Sequence, residues 1–360
     1  MKKFLRFFSL FFVLVSFMTA LSCAPSGSSI DVYAFNTAIH VETHDKKISD
    51  QTTEQLKNEI ARLDRDLDAH ENGSYIYQLN GASDSTALSV SSDVIDLIKL
   101  AKEYSAFTLG KFNFALYPVI DAWQFYDYPK LNFAPPSEDS INALLSSGVL
   151  SPDNIIVDEI NGTISKSNAD TKIDLGGIAK GYVANVIADR LKQDGHTSGY
   201  VNVGGSSLYL LSVDSLTIKH PRATEKKPTV IKIYGQNAKN TAVSTSGDYQ
   251  RYYNYDGKIY SHIIDGESAS PIDTNIISAT ILCNQATFAD AITTALCCHE
   301  YFPDDHQNSP LIIFAKKVIE STQNCTLFLV YEKGDDKIIL TNATSDKFEL
   351  LDTDYTIKQI

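Results

Sequence analysis

The sequence predicts an α+β fold, with largely antiparallel or mixed sheets and helices packed against them. Three observations predict it. Strand-like runs follow one another with few helical crossovers, whereas a doubly wound sheet would alternate strand and helix. Amphipathic stripes, with apolar residues three and four apart, mark separate helices along the chain. The composition, 43% apolar, 21% charged and 10% aromatic over 360 residues, suits a sizeable core. It excludes disorder and collagen-like repeats.

The N-terminal stretch MKKFLRFFSLFFVLVSFMTALSCAPSGSS has a basic head, an apolar run to Leu21, then Ser22-Cys23. That is the pattern of a secretory signal, and its apolar run is short for a full membrane span. A cysteine after a small residue resembles the bacterial lipoprotein signal; cleavage nearby without lipidation is the other reading. The expected division is a signal peptide over 1–22, a lipidated tether over 23–30 beginning at Cys23, and one domain over 31–355. The protein is then exported and anchored by lipid to the cell membrane on its periplasmic, extracytoplasmic side. The formal charge is −13, and −16 without Lys2, Lys3 and Arg6 of the signal. No basic patch is visible, which argues against a nucleic-acid partner.

Thr52-Thr53-Glu54-Gln55 reads as a capping box. It opens a helix with Leu56, Ile60, Leu63 and Leu67 on one face. A second helix carries Val94, Leu97, Ile98 and Ala101. IIVDEINGTIS reads as a hairpin turning at Asn161-Gly162. DLGGIAKGY, from Asp174, runs into a helix striped by Ile178, Tyr182, Val183, Val186, Ile187 and Leu191, with Gly195 as its C-cap. Strands are expected in YVNVGG, LTIKH, VIKIYG, KIYSHIID and ISATILC. ATFADAITTALCC is helical, and CTLFLVYEKGDDKIIL closes the chain as a hairpin. Cys283, Cys297, Cys298 and Cys325 have no zinc-binding spacing and read as buried free thiols.

Three places carry candidate chemistry. The glycines of DLGGIAKGY let backbone amides approach an anion at a helix N-terminus, with Lys180 as a local cation. A tight strand-to-helix turn with nothing bound is the alternative. His262 and Asp265 lie three apart at a strand end. A histidine there is a general base or a structural residue. Asp290 and Thr294, at i and i+4, share a helix face whose neighbours Ala286, Thr287, Ala289 and Thr293 are small. One carboxylate and one hydroxyl among small side chains suit a hard cation; a solvated face is the other reading.

In this order DLGGIAKGY, VNVGG, TSGDY, HIID and ADAITTAL resemble the ApbE-like flavin transferases, the FAD:protein FMN transferases, over roughly residues 30 to 350. GKFNFALYPVIDAW, with Phe112, Pro118 and Trp123, joins them, and SYIYQLN near Ser74 is a weaker match. The resemblance implies a T-fold-related architecture with an FAD cleft between two halves, and makes 31–355 a flavin transferase domain. It implies magnesium-dependent transfer of FMN from FAD to a Thr or Ser hydroxyl of a partner flavoprotein, forming a phosphoester and releasing AMP. By resemblance, Asp290, Thr294 and the backbone carbonyl of Ala179 hold Mg2+. His262 takes the acceptor proton and Asp265 supports it. Lys180, Gly181, Asn185, Gly204, Gly205, Ser246, Gly247 and Asp248 bind FAD. The chain departs from the family pattern at Asn113, Asn185 and Ser206, and in the turn Asp265-Gly266-Glu267-Ser268-Ala269. Two other readings are a metal-dependent FAD pyrophosphatase and a non-catalytic flavin-binding lipoprotein. The intact His262, Asp290 and Thr294 argue against the last.

Overall fold

A computed structural model describes residues 27–235 and 238–360. The signal peptide and Cys23 lie outside the described residues. A nine-stranded sheet forms the centre: β1 (Ser28–Ala34), β2 (Thr37–Thr43), β3 (Gly199–Val203), β4 (Ser207–Ser212), β5 (Lys239–Gly247), β6 (Ile276–Cys283), β7 (Thr326–Lys333), β8 (Asp336–Thr341) and β9 (Thr356–Gln359). Their spatial order follows the chain order, and neighbours are antiparallel except for the final parallel pair β8–β9. The expected α+β class with largely antiparallel sheets holds. β1 starts inside the segment expected as tether, and β9 lies beyond residue 355. Ladder pairing with β2, from Ser28 against Thr43 onward, is what recruits Ser28–Ile30.

Among the described residues the helices are α1 (Asp50–Leu67), α2 (Tyr75–Gly81), α3 (Ser92–Phe107), α4 (Tyr117–Ala122), α5 (Glu138–Ser146), α6 (Ala179–Gln193), α7 (Ala286–Cys297) and α8 (Pro310–Ser321). The stripes of α1, α3, α6, α7 and α8 bury against one sheet face, where Leu56, Leu97, Ile187, Ile292 and Leu311 meet Val201, Leu211 and Ile281. The other face carries Leu210, Val243, Leu282 and Phe328. A three-stranded sheet covers it, built from Ser215–Lys219, Thr229–Tyr234 and Phe348–Leu350. Being covered on both faces, β6 is buried at every position, which is why ISATILC lacks polar alternation.

Two local expectations shift. The cap of α1 is Ser49, whose hydroxyl accepts from Thr52 N at 3.0 Å; Thr52 instead donates to Asp194 Oδ2 at 2.7 Å. KIYSHIID is not one strand. Lys258–Ser261 pairs with Tyr252–Tyr255, and Ile264–Asp265 pairs with Ser270–Pro271, with His262 and Ile263 between the ladders. The C-cap of α6 holds as expected: Gly195 takes φ +76°, its N–H reaches Lys192 O, and the next N–H reaches Leu191 O.

A third core joins Leu116, Trp123, Phe125, Ile141 and Tyr253 to Ile264 and Ala269. Ala115 and Ile263 belong to the helix-side core, whereas Leu116 and Ile264, one residue on, belong to this third one. The chain crosses the seam between the two cores at both places, and His262 stands beside it.

Candidate active site

Asp174 holds the glycine turn. Asp174 Oδ1 accepts from Gly176 N at 2.7 Å, and Oδ2 accepts from the Tyr126 hydroxyl at 3.1 Å. Gly176 and Gly177 do not need a left-handed backbone. A Cβ on Gly177 would come within 3.3 Å of the Phe112 ring, and one on Gly176 within 2.8 Å of Asp174 Oδ1. Small size serves close approach here. The half-buried Lys180 follows in the first turn of α6, its ammonium 3.0 Å from Gly176 O.

Gly181 is a packing residue. A Cβ added to it would lie 2.2 Å from Ala286 O, so the backbones of α6 and α7 meet at this point. Its N–H donates to Asp290 Oδ2 at 3.0 Å. Asp290 Oδ1 accepts from Ser207 at 2.9 Å and from Ser244 at 3.1 Å. The carboxylate is 5% exposed, which removes the solvated-face reading. Among the described residues no Lys, Arg or His pairs with it. A buried carboxylate with only neutral donors is short of a counter-charge.

Thr294, one turn on, sits 3.5 Å from both Asp290 O and the Ser246 hydroxyl, loose contacts that leave its oxygen available. Ala179 is the buried first residue of α6, two before Gly181. Among the described residues no three His, Cys, Asp or Glu side chains cluster as a metal nest. The oxygen donors of Asp290 and Thr294 suit a hard cation rather than a soft transition metal.

His262 Nδ1 lies 3.1 Å from Arg251 O. A carbonyl only accepts, so Nδ1 carries the proton and Nε2 keeps its lone pair. Burial, helped by the positive charges of Arg251 and Lys180, lowers its pKa to about 4 against the pull of that hydrogen bond. The imidazole is neutral at pH 7, and Lys180 is near enough to be felt.

Several expected residues do something else. Asp265 does not support His262: its carboxylate pairs with Lys111 at 2.7 Å and accepts from Glu267 N at 2.9 Å. The Arg251 carbonyl orients the ring in its place. Asn185 Oδ1 accepts from Ala286 N at 2.8 Å and so caps α7. Asp248 is occupied by Arg222 in a two-pronged pair at 2.7 and 2.8 Å. Gly204 and Gly205 form the β3–β4 turn at φ +67° and +72°, where only glycine sits without strain. Ser246 donates to Thr293 at 2.9 Å, and a Cβ on Gly247 would strike the Tyr249 ring at 2.3 Å.

Sequence reasoning missed Ser207, Ser244, Lys111 and Arg222. Of these Ser244 had a signal, since it lies two residues from Ser246 and so shares its strand face. A cavity of about 580 Å3, lined by Lys111, Asp265, Glu267, Ser268 and His299, belongs to the Asp265 turn and the end of α7 rather than to the glycine turns.

A glycine turn feeding a helix N-terminus, a buried carboxylate held by neutral donors and a neutral histidine along a seam define an α+β enzyme built for a phosphate-bearing ligand. The chain belongs to the ApbE family, whose sequence model matches residues 35–301. It is 29% identical over 255 residues to an FAD:protein FMN transferase of Klebsiella pneumoniae, covering 71% of this chain and 76% of that one. A Vibrio cholerae FAD:protein FMN transferase is 28% identical, covering 69% and 74%. The crystal structure of the ApbE protein from Thermotoga maritima superposes with a TM-score of 0.72 at 25% identity, covering 86% of this chain and 96% of that one. The flavin transferase ApbE from Vibrio cholerae superposes at 0.73 with 21% identity, covering 89% and 97%, a likeness of fold.

Proposed function

We propose that this chain is an FAD:protein FMN transferase that moves FMN from FAD to a Thr or Ser hydroxyl of a partner flavoprotein and releases AMP. The observation that carries the reading is Asp290, buried among neutral donors beside the N-terminus of α6. Asp290, Thr294 and the Ala179 carbonyl would hold Mg2+, which when bound screens the diphosphate charge and stabilises the leaving oxyanion. Lys180 and the glycine turn bind the diphosphate. His262 Nε2 accepts the proton of the acceptor hydroxyl as its oxygen bonds to the FMN phosphorus. The bond from that phosphorus to the AMP oxygen breaks, and the electron pair leaves with AMP. An anionic diphosphate nearby raises the proton affinity of His262 toward the useful range.

The test is incubation of the purified soluble part with FAD, Mg2+ and candidate exported flavoproteins. The expected result is an FMN-sized mass gain on one of them, abolished by chelation of the metal. Free FMN and AMP with no labelled protein would instead assign FAD hydrolysis, and intact FAD would assign a binding protein. The same reading includes export and lipidation at Cys23.

A further inference from the structure

Ser207 and Ser244 are directly opposite each other on neighbouring strands, β4 and β5. Opposed residues point to the same face, so their hydroxyls converge. Both are 0% exposed, and both donate to one oxygen, Asp290 Oδ1, at 2.9 and 3.1 Å. The other oxygen is held by Gly181 N at 3.0 Å. Three donors from α6, β4 and β5 therefore fix one carboxylate that α7 presents.

The choice of donor matters. A lysine or arginine would also have satisfied the carboxylate, but it would have neutralised it and repelled a second cation. Hydroxyls hold the group in place and leave its charge available. Nor is a serine pair the natural filling of this position: Ala242, Tyr209 and Leu211 on the same face are apolar core residues. Buried hydroxyls lacking a partner would be costly there.

We infer that Ser207 and Ser244 are positioning residues that pre-orient Asp290 for a divalent cation, and so set the metal affinity of the site. This rests on the flavin-transfer reading above, though its test does not need transfer. Outer-shell partners of this kind change metal affinity by roughly 10- to 100-fold when removed. Mn2+ titrated alone, then with ADP as a diphosphate, is followed by electron paramagnetic resonance in the parent, Ser207→Ala, Ser244→Ala and the double variant. Each single variant is expected to weaken Mn2+ binding about tenfold, and the double variant up to about a hundredfold. Ser244→Thr, which keeps the hydroxyl, should restore affinity. Far-ultraviolet circular dichroism at the titration temperature establishes that each variant is folded. If the double variant does not fold, the single variants carry the test. Parental Mn2+ affinity in folded serine-to-alanine variants would overturn the inference and leave the transferase reading standing. Absence of Mn2+ binding by the parent overturns it as well. Absence of FMN transfer, measured separately, sinks the transferase reading instead.

Discussion

His262 is the residue whose removal separates chemistry from binding. Its ring donates to a backbone carbonyl through Nδ1, which leaves Nε2 as a proton acceptor. His262→Ala is expected to bind FAD as the parent does and to transfer FMN at least about a hundredfold more slowly at saturation. Loss of FAD affinity with an unchanged saturated rate would make it a pocket residue. The depressed pKa also has a stability consequence. Between pH 6.5, the unfolded value, and about 4, the unfolded chain takes up a proton that native His262 refuses. Native stability therefore falls as pH drops through that window, and His262→Ala should flatten the fall in thermal melts. At this scale the sequence was legible in type and spacing: it put Asp290 and Thr294 on one helix face and His262 at a strand end, which is where they lie. The partners of Asp265, Asn185 and Asp248 were not legible, because Lys111, Ala286 N and Arg222 are 154, 101 and 26 residues away.

The pair of helices α6 and α7 is the element that assembles the site. Gly181 permits their contact, and the same residue's N–H reaches Asp290, so packing and ligand geometry share one atom group. Gly181→Ala should force the helices apart, lower stability by about 1–3 kcal/mol in urea unfolding, and weaken metal binding with it. A variant as stable as the parent would show that the interface yields. The helices themselves were readable from their stripes, as were the 155–166 hairpin and the Gly195 cap. The break in KIYSHIID was not readable. Its cause is pairing to two different hairpins, together with the turn in which Ser261 Oγ accepts from Ile263 N at 3.2 Å. The early cap at Ser49 was hidden for a simpler reason, since serine and threonine serve equally at that position.

Across the whole molecule, the central sheet keeps chain order in space while residues 44–198 leave it between β2 and β3 and return carrying α6. Class and strand character were legible from runs and stripes, whereas the excursion and the third core depend on contacts between distant segments. Cys23→Ala is expected to move the protein from the membrane to the soluble envelope fraction with its fold unchanged, because stable anchoring needs more than one acyl chain and the cysteine supplies the attachment. Unaltered membrane association would refute it. The early start of β1 sharpens what such an anchor would mean. From Cys23 to the edge strand at Ser28 is about five residues, a reach of at most about 17 Å at full extension. A lipidated chain would thus be held on a very short leash by one rim of its sheet, with little freedom to tumble. Its acceptors would have to present their hydroxyls within a thin layer above the bilayer, so that membrane proximity would select among partners before any side chain does.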